Sequence, residues 1–174
     1  PLVKRWEPTL RIAAKSKRVD EANILIDALE REVMTRVGEY FYGYGDEELE
    51  DIIGKILIEK ELTVSVAESC TGGLISSRLT DVSGSSKYIK LNLITYSNEA
   101  KINNLGVNPS TIENFGAVSK QTALSMAECI RALTSSDIGL GISGIAGPTG
   151  GTETKPVGLV FIGLCNKHFL EVHE

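Results

Sequence analysis

Residues 63–80 read TVSVAESCTGGLISSRLT. The opening residues alternate with the period of a strand, and LISSRLT continues with the spacing of a helix, so a strand is predicted over 63–67 and a helix over 73–80. Between them Ser69, Cys70 and Thr71 crowd against Gly72 and Gly73. A strand that enters a helix through such a turn is where α/β proteins hold a nucleophile or seat a phosphate on the helix N-terminus. Whether this turn serves the first purpose, the second or neither decides how the rest of the chain is read.

Strand and helix continue to alternate on both sides of it. Upstream, Leu49, Ile52, Ile53, Ile56 and Leu57 line one face of a helix that Asp46 is placed to cap. Downstream come a strand over 88–95, short helices over 98–105 and 109–114, and a longer helix with Ser119 as N-cap and Ala123, Met126, Ala127 and Ile130 turned inward. A strand over 137–142, a long glycine loop, a strand over 157–164 and a further short strand in HFLEV complete the series. This alternation predicts a three-layer α/β/α domain over 45–174 with a parallel or mixed sheet. Residues 1–44 read differently. PTLRIAAK places Leu10, Ile12 and Ala14 on one face of a predicted strand, and Asp20 opens a helix with Ile26, Leu29, Val33, Met34 and Val37 inward. One strand and one helix bury too little to stand alone, so this part is expected to be a small α+β fragment of a larger module. The boundary falls near Tyr44, and the aromatic pair Tyr42 and Tyr44 reads as a packed hinge in preference to a base-stacking platform, because no basic groove accompanies it.

Bulk composition narrows the function. The chain has 174 residues and a net charge of -5, with lysine and arginine scattered, which speaks against direct nucleic-acid contact. No apolar run approaches the ~18 residues of a membrane span, and a cytoplasmic location is expected. Cys70, Cys129 and Cys165 are far apart and outside any CxxC spacing, so neither a disulfide framework nor a zinc site is expected. His168 and His173 both lie at the end of the chain, and no GxSxG elbow exists, so neither a histidine-based triad nor a histidine metal cluster fits. No metal and no cofactor are predicted.

Three loops follow three predicted strands, and ligands of open α/β sheets bind beyond the carboxyl ends of parallel strands. The first is ESCTGG; the second is YSNEAK, from Tyr96 to Lys101; the third is SGIAGPTGGTETKPVG, residues 143–158. The third is too long for a plain connection and rich in glycine, and Ser143, Gly144, Gly147, Gly150, Gly151 and Thr152, with Thr149, suit a phosphate through backbone N–H groups and hydroxyls. Taken alone, Ser69 reads as a turn or cap residue, Lys101 as a solvated helix residue and Tyr96 as a packed strand end. Together they suggest more: a serine needs a base, histidine is unavailable, and a neutral lysine is a known alternative. Lysine titrates near ~10.4 in water, so burial must lower it. Cys70 is the competing nucleophile and ranks below Ser69 for want of a histidine partner, and Glu68 reads as a salt-bridge member in preference to a catalytic acid.

The order AESCTGGLISSRLTDVSGSS, TYSNEAK, LGV, GAVS and SGIAGPTGGTETKPVG resembles the C-terminal domain of the competence/damage-inducible CinA family, over about 47–164. The enzymatic members of that family are nicotinamide-mononucleotide amidohydrolases. The resemblance implies Ser69 as nucleophile, Lys101 as general base and Tyr96 as its partner, with the oxyanion on backbone amides around Thr71, Gly72 and Gly73 and the 5'-phosphate in the third loop. It also implies a pyridine mononucleotide as ligand. A homodimer is expected. Residues 1–44 resemble the tail of the linker domain that precedes this domain in longer members, behind a molybdopterin-binding-like domain. Two departures stand out: Thr149 occupies a position where glycine is common, and Ser143 one where threonine is frequent. Members also continue into a further helix, so the domain is expected to be shortened at its C-terminus.

Overall fold

A computed structural model describes residues 2–4 and 7–174 of the chain. The chain divides into two compact units, residues 1–52 and 53–174.

In the first unit β1 (Leu2–Lys4) pairs antiparallel with β2 (Glu7–Thr9), and α1 (Val19–Val37) follows. The strand expected over 8–15 ends at Thr9, and Leu10 beyond it is 53% exposed. Alternation without a neighbouring strand to receive the ladder bonds leaves those residues irregular. The strand at 2–4 was not foreseen from sequence. α1 starts at Val19, and the Asp20 carboxylate meets the Arg18 guanidinium at 2.6 Å, which holds its carboxyl below the usual range. Of the expected inward face, Ile26, Val33 and Met34 are half-buried, whereas Leu29 and Val37 are exposed. The Phe41 and Tyr44 rings meet edge to face at 4.7 Å, and the Tyr44 hydroxyl donates to Glu30. α2 (Leu49–Glu59) begins beyond Asp46, and the Glu48 amide donates to the Asp51 carboxylate at 3.0 Å.

The second unit is built on a five-stranded mixed sheet. Its strands are β3 (Val64–Glu68), β4 (Ile89–Ile94), β5 (Ile138–Gly144), β6 (Val160–Cys165) and β7 (Leu170–His173), in the order β4-β3-β5-β6-β7. β4, β3 and β5 are parallel, and β6 and β7 are antiparallel additions. The helices are α3 (Leu74–Asp81), α4 (Asn98–Asn103), α5 (Pro109–Phe115) and α6 (Lys120–Thr134). Alternation along the strands sorts the core into two layers. Val64, Val66 and Ile142 pack with Leu57, Leu79 and Tyr88 on one face, the side of α2 and α3. Ala67 packs with Leu105, Val107, Ile112, Met126 and Ile130 on the other, the side of α4, α5 and α6. Tyr88 is fully buried, and its hydroxyl donates to the Leu79 carbonyl at 2.7 Å, which ties the end of α3 to the start of β4.

α6 lies on the sheet backbone to backbone. A Cβ on Gly139 would strike the Ala127 carbonyl oxygen, one on Gly141 the Ala123 carbonyl oxygen and the Ala127 amide, and one on Gly163 the Ala123 carbonyl oxygen. The helix answers with Ala123 and Ala127, both fully buried. At the start of the parallel strands Asp137 clasps Thr63: its carboxylate accepts from the Thr63 amide at 2.8 Å and hydroxyl at 2.7 Å, and the Asp137 amide donates to the Thr63 hydroxyl at 3.0 Å. These bonds fix the start of β3 against the start of β5 and lower the Asp137 carboxyl. Asp137→Ala is expected to cost about 1–2 kcal/mol in urea unfolding at neutral pH. The loss is expected to shrink as pH falls through the folded-state pKa of Asp137, where the wild type surrenders the same bonds.

Candidate active site

The parallel register brings the three loops to one edge of the sheet. Ala67 stands beside Gly141, Glu68 beside Ile94, and the Thr95 amide donates to the Glu68 carbonyl at 2.7 Å. The turn after β3, the segment after β4 and the loop after β5 therefore all leave the same side. From β3 the chain moves to β4, and from β5 it moves the opposite way to β6, which is the arrangement that opens a crevice between neighbouring strand ends. Ser69 follows β3 directly at that point and is 7% exposed.

Lys101 comes from α4. Ser97 caps that helix by accepting from the Ala100 amide at 3.0 Å, which directs residue 101 back toward the sheet. Lys101 is 1% exposed, and its Nζ lies 3.0 Å from Ser69 Oγ, 2.8 Å from the Thr95 carbonyl oxygen and 3.1 Å from the Tyr96 carbonyl oxygen. Charged, the nitrogen donates to all three; as the neutral amine it keeps two N–H groups for the carbonyls and turns its lone pair to the Ser69 hydroxyl. Burial pushes the amine below its ordinary pKa, against a smaller upward pull from Cys70. The Cys70 thiol is itself pushed up by burial, which outweighs the amides of Cys70 and Thr71 and the charge of Lys101, and Cys70 packs against the core. A thiol held protonated is a poor nucleophile.

The sequence places Tyr96 near the base, but in a different capacity from the one expected. Its side chain is 74% exposed, and its hydroxyl bonds to none of the described residues; the carbonyl is what reaches Lys101. The oxyanion expectation also shifts. The Gly72 amide donates to the Ser69 carbonyl at 3.1 Å and the Gly73 amide to Glu68 at 3.0 Å, so both are committed within the turn. The amides of Cys70 and Thr71 make no backbone hydrogen bond within the turn and have the Cys70 sulfur beside them. Gly72 and Gly73 have φ of 61° and 101°, which is why the turn needs glycine there.

Glu68 departs furthest from its sequence reading. It is fully buried and no cation pairs with it among the described residues. Its carboxylate accepts from the amides of Gly73 at 3.0 Å, Ile75 at 3.2 Å and Ser76 at 2.7 Å, and from the Ser76 hydroxyl at 2.5 Å. Burial raises its pKa, but these donors, with the Thr71 hydroxyl nearby, lower it by more, so the group stays ionised. The N-terminus of α3 is thereby filled by the protein's own carboxylate. The question posed by residues 63–80 is settled to that extent: the first turn of α3 is not open to a phosphate.

The third loop is only partly arranged as expected. Ser143 is 1% exposed, and its hydroxyl donates to the Ala117 carbonyl at 2.6 Å, a tie between β5 and the approach to α6. Gly144 is a rung of the sheet opposite Val160. The Thr152 hydroxyl accepts from the Lys155 amide at 3.0 Å within the loop's own turn. Gly147 and Gly150 adopt φ of 84° and 89°, and Gly150 and Gly151 are exposed. Lys155, which the sequence reading passed over, reaches the Phe115 carbonyl at 3.1 Å and is the basic side chain this loop carries.

A family model described as the CinA C-terminal domain matches residues 46–174, and one described as the damage-inducible protein CinA KH domain matches residues 1–43. A putative competence-damage inducible protein of Acetivibrio thermocellus is 49% identical over 171 residues, covering 98% of this chain and 41% of that protein. One of Clostridium novyi is 47% identical over 174 residues, covering 100% of this chain and 42% of that protein. The chain thus spans about two fifths of the length of these curated relatives. Among solved structures, the competence/damage inducible protein CihA of Agrobacterium tumefaciens superposes with a TM-score of 0.68 at 39% identity, over 76% of this chain and 83% of that one. A CinA superfamily protein of Escherichia coli gives 0.70 at 27%, over 79% and 83%.

Proposed function

Because the chain belongs to the CinA family, we propose that its second unit hydrolyses the carboxamide of nicotinamide mononucleotide to nicotinate mononucleotide and ammonia. The observation that carries this reading is the buried lysine amine 3.0 Å from the Ser69 hydroxyl, with two carbonyls accepting its N–H groups. Lys101 takes the Ser69 proton as Oγ attacks the carboxamide carbon, and the tetrahedral oxyanion is held by the amides of Cys70 and Thr71. The protonated Lys101 returns that proton to the departing nitrogen, which leaves as ammonia, and an ester to Ser69 remains. Water then attacks the ester carbon, gives its proton to Lys101, and the released Ser69 alkoxide recovers it. The nucleotide phosphate is assigned to the third loop, because α3 has no free N-terminus; Lys155 and the amides of Gly150 and Gly151 are the groups there that suit it. The exposed Tyr96 ring stands at the rim, where it can cover a pyridine ring. A non-catalytic nucleotide-binding module is the rival reading.

The deciding experiment is incubation of the chain with nicotinamide mononucleotide. Ammonia and nicotinate mononucleotide are expected in equal amounts; tight calorimetric binding without turnover would instead support the binding module. The rate is expected to rise with pH along an acid limb lying below the ordinary lysine range, since the working base is the neutral form of an amine whose pKa burial has lowered. A rate flat across that range would remove Lys101 from the mechanism.

A further inference from the structure

We infer that Glu68 is a positioning residue for the Ser69 nucleophile, acting by gathering the turn that carries Ser69 onto the first turn of α3. This rests on the amidohydrolase reading. Glu68 is the last residue of β3 and Ser69 the next, so any movement of the carboxylate is felt at the nucleophile's own backbone. An ionised carboxylate without water or a cation is costly to bury, and the arrangement persists only because donors surround it. Those donors span residues 73–76, and the closure at Gly73 is completed by the Gly72 amide on the Ser69 carbonyl. Glu68 therefore commits the Gly73 amide within the turn and fixes where the hydroxyl stands. A neutral side chain would not hold three amides: Gln presents one oxygen, and its NH2 group would meet donors.

The groups facing the Lys101 amine are the Ser69 hydroxyl, the Thr95 and Tyr96 carbonyls and the Cys70 thiol. If the turn loosens, water reaches this amine and its proton is held to higher pH. Glu68→Gln is therefore expected to lower kcat by roughly ten- to a hundredfold with KM within about twofold, since a displacement near 1 Å is enough for such a loss. The acid limb of kcat is expected to move to higher pH, an effect that a change in global stability alone does not produce. Ser76→Ala, which removes one donor and keeps the carboxylate, is expected to do the same to a smaller degree. It carries the test if Glu68→Gln does not fold.

The amine can be followed independently by NMR titration of the Lys101 side-chain nitrogen in 15N-lysine-labelled protein. If the wild type turns over no mononucleotide, the amidohydrolase reading fails on its own, and an upward move of the Lys101 titration in Glu68→Gln or Ser76→Ala still supports the positioning role. A folded Glu68→Gln protein with wild-type kcat and an unmoved Lys101 titration overturns it. So does a loss of kcat with that titration unmoved.

Discussion

Ser69→Ala is expected to bring ammonia release down to the background of the assay, a loss on the order of 10⁴-fold or more, because among the described residues no other hydroxyl bonds to the Lys101 amine. Lys101→Met is expected to cost about 10²–10⁴-fold, the span of a removed general base. The two changes should not add. Once the hydroxyl is gone the amine has no proton to take, so the double variant should match Ser69→Ala; a further multiplicative loss would mean that the two residues act apart. Circular dichroism and mononucleotide binding are expected to survive in both. Unchanged turnover in either variant would dissolve the dyad.

Lys101→Met has a second signature in stability. The folded amine titrates below its ordinary value and the unfolded amine at it, so between the two the unfolded chain holds a proton that the folded chain has released. Stability is full above the unfolded pKa and declines as pH falls through the window to the folded one, with a slope of at most about 1.4 kcal/mol per pH unit. Methionine has no proton to exchange, so the variant's stability curve should be flatter there, whatever the fixed cost of leaving the Thr95 and Tyr96 carbonyls without a donor. Urea midpoints taken at several alkaline pH values test this, and identical slopes would contradict it.

The largest effect on folding is expected at Gly141. Even alanine there brings a Cβ against the Ala123 carbonyl oxygen, with the Ala127 amide at 2.5 Å and the Met126 Cβ at 2.8 Å, and none of these is the free end of a flexible chain. α6 must lift from the sheet, at a cost of about 3 kcal/mol or more, a large part of a typical domain's stability. Gly106 is the control: its φ is 85°, but a Cβ would meet nothing within 4 Å, so Gly106→Ala should cost about 1 kcal/mol from backbone strain alone. Equal losses in the two variants would refute the close approach of helix and sheet.

The second unit was legible in the sequence where side-chain pattern governs. The strand and helix that flank Ser69, the cap at Ser119 and the inward residues of α6 all follow from periodicity and capping, and the structure carries each of them. Juxtaposition of Ser69 with Lys101 was legible because composition left no other base. What pattern does not encode is how the main chain is spent. The carbonyls that orient Lys101, the commitment of the Gly72 and Gly73 amides and the tie from Ser143 to Ala117 are backbone geometry with no residue-type signature. Glu68 was misread because a charged residue ending a strand suggests an ion pair, whereas its partners are amides of the next helix. A signal for the close packing of α6 was present, since Gly139 and Gly141 are two apart on one face of β5. The first unit misled because alternation at Leu10, Ile12 and Ala14 needs a neighbouring strand before it means anything.

Most of what surrounds the base lies in residues 95–101, and most of what surrounds the nucleophile in residues 68–76. Each is a short cassette whose internal bonds form locally, so a single long-range event, zipping β3 against β4, brings the amine to the hydroxyl. The ladder between them shifts register at Val64 and Ser65 and then runs regularly to Glu68 and Ile94. A slip of one rung would carry the cassettes about 3.3 Å apart and turn alternate side chains to the wrong face. The fidelity of the centre is thus entrusted to an irregularity at the far end of the strand, where a substitution that never approaches a substrate would still be read out as lost turnover.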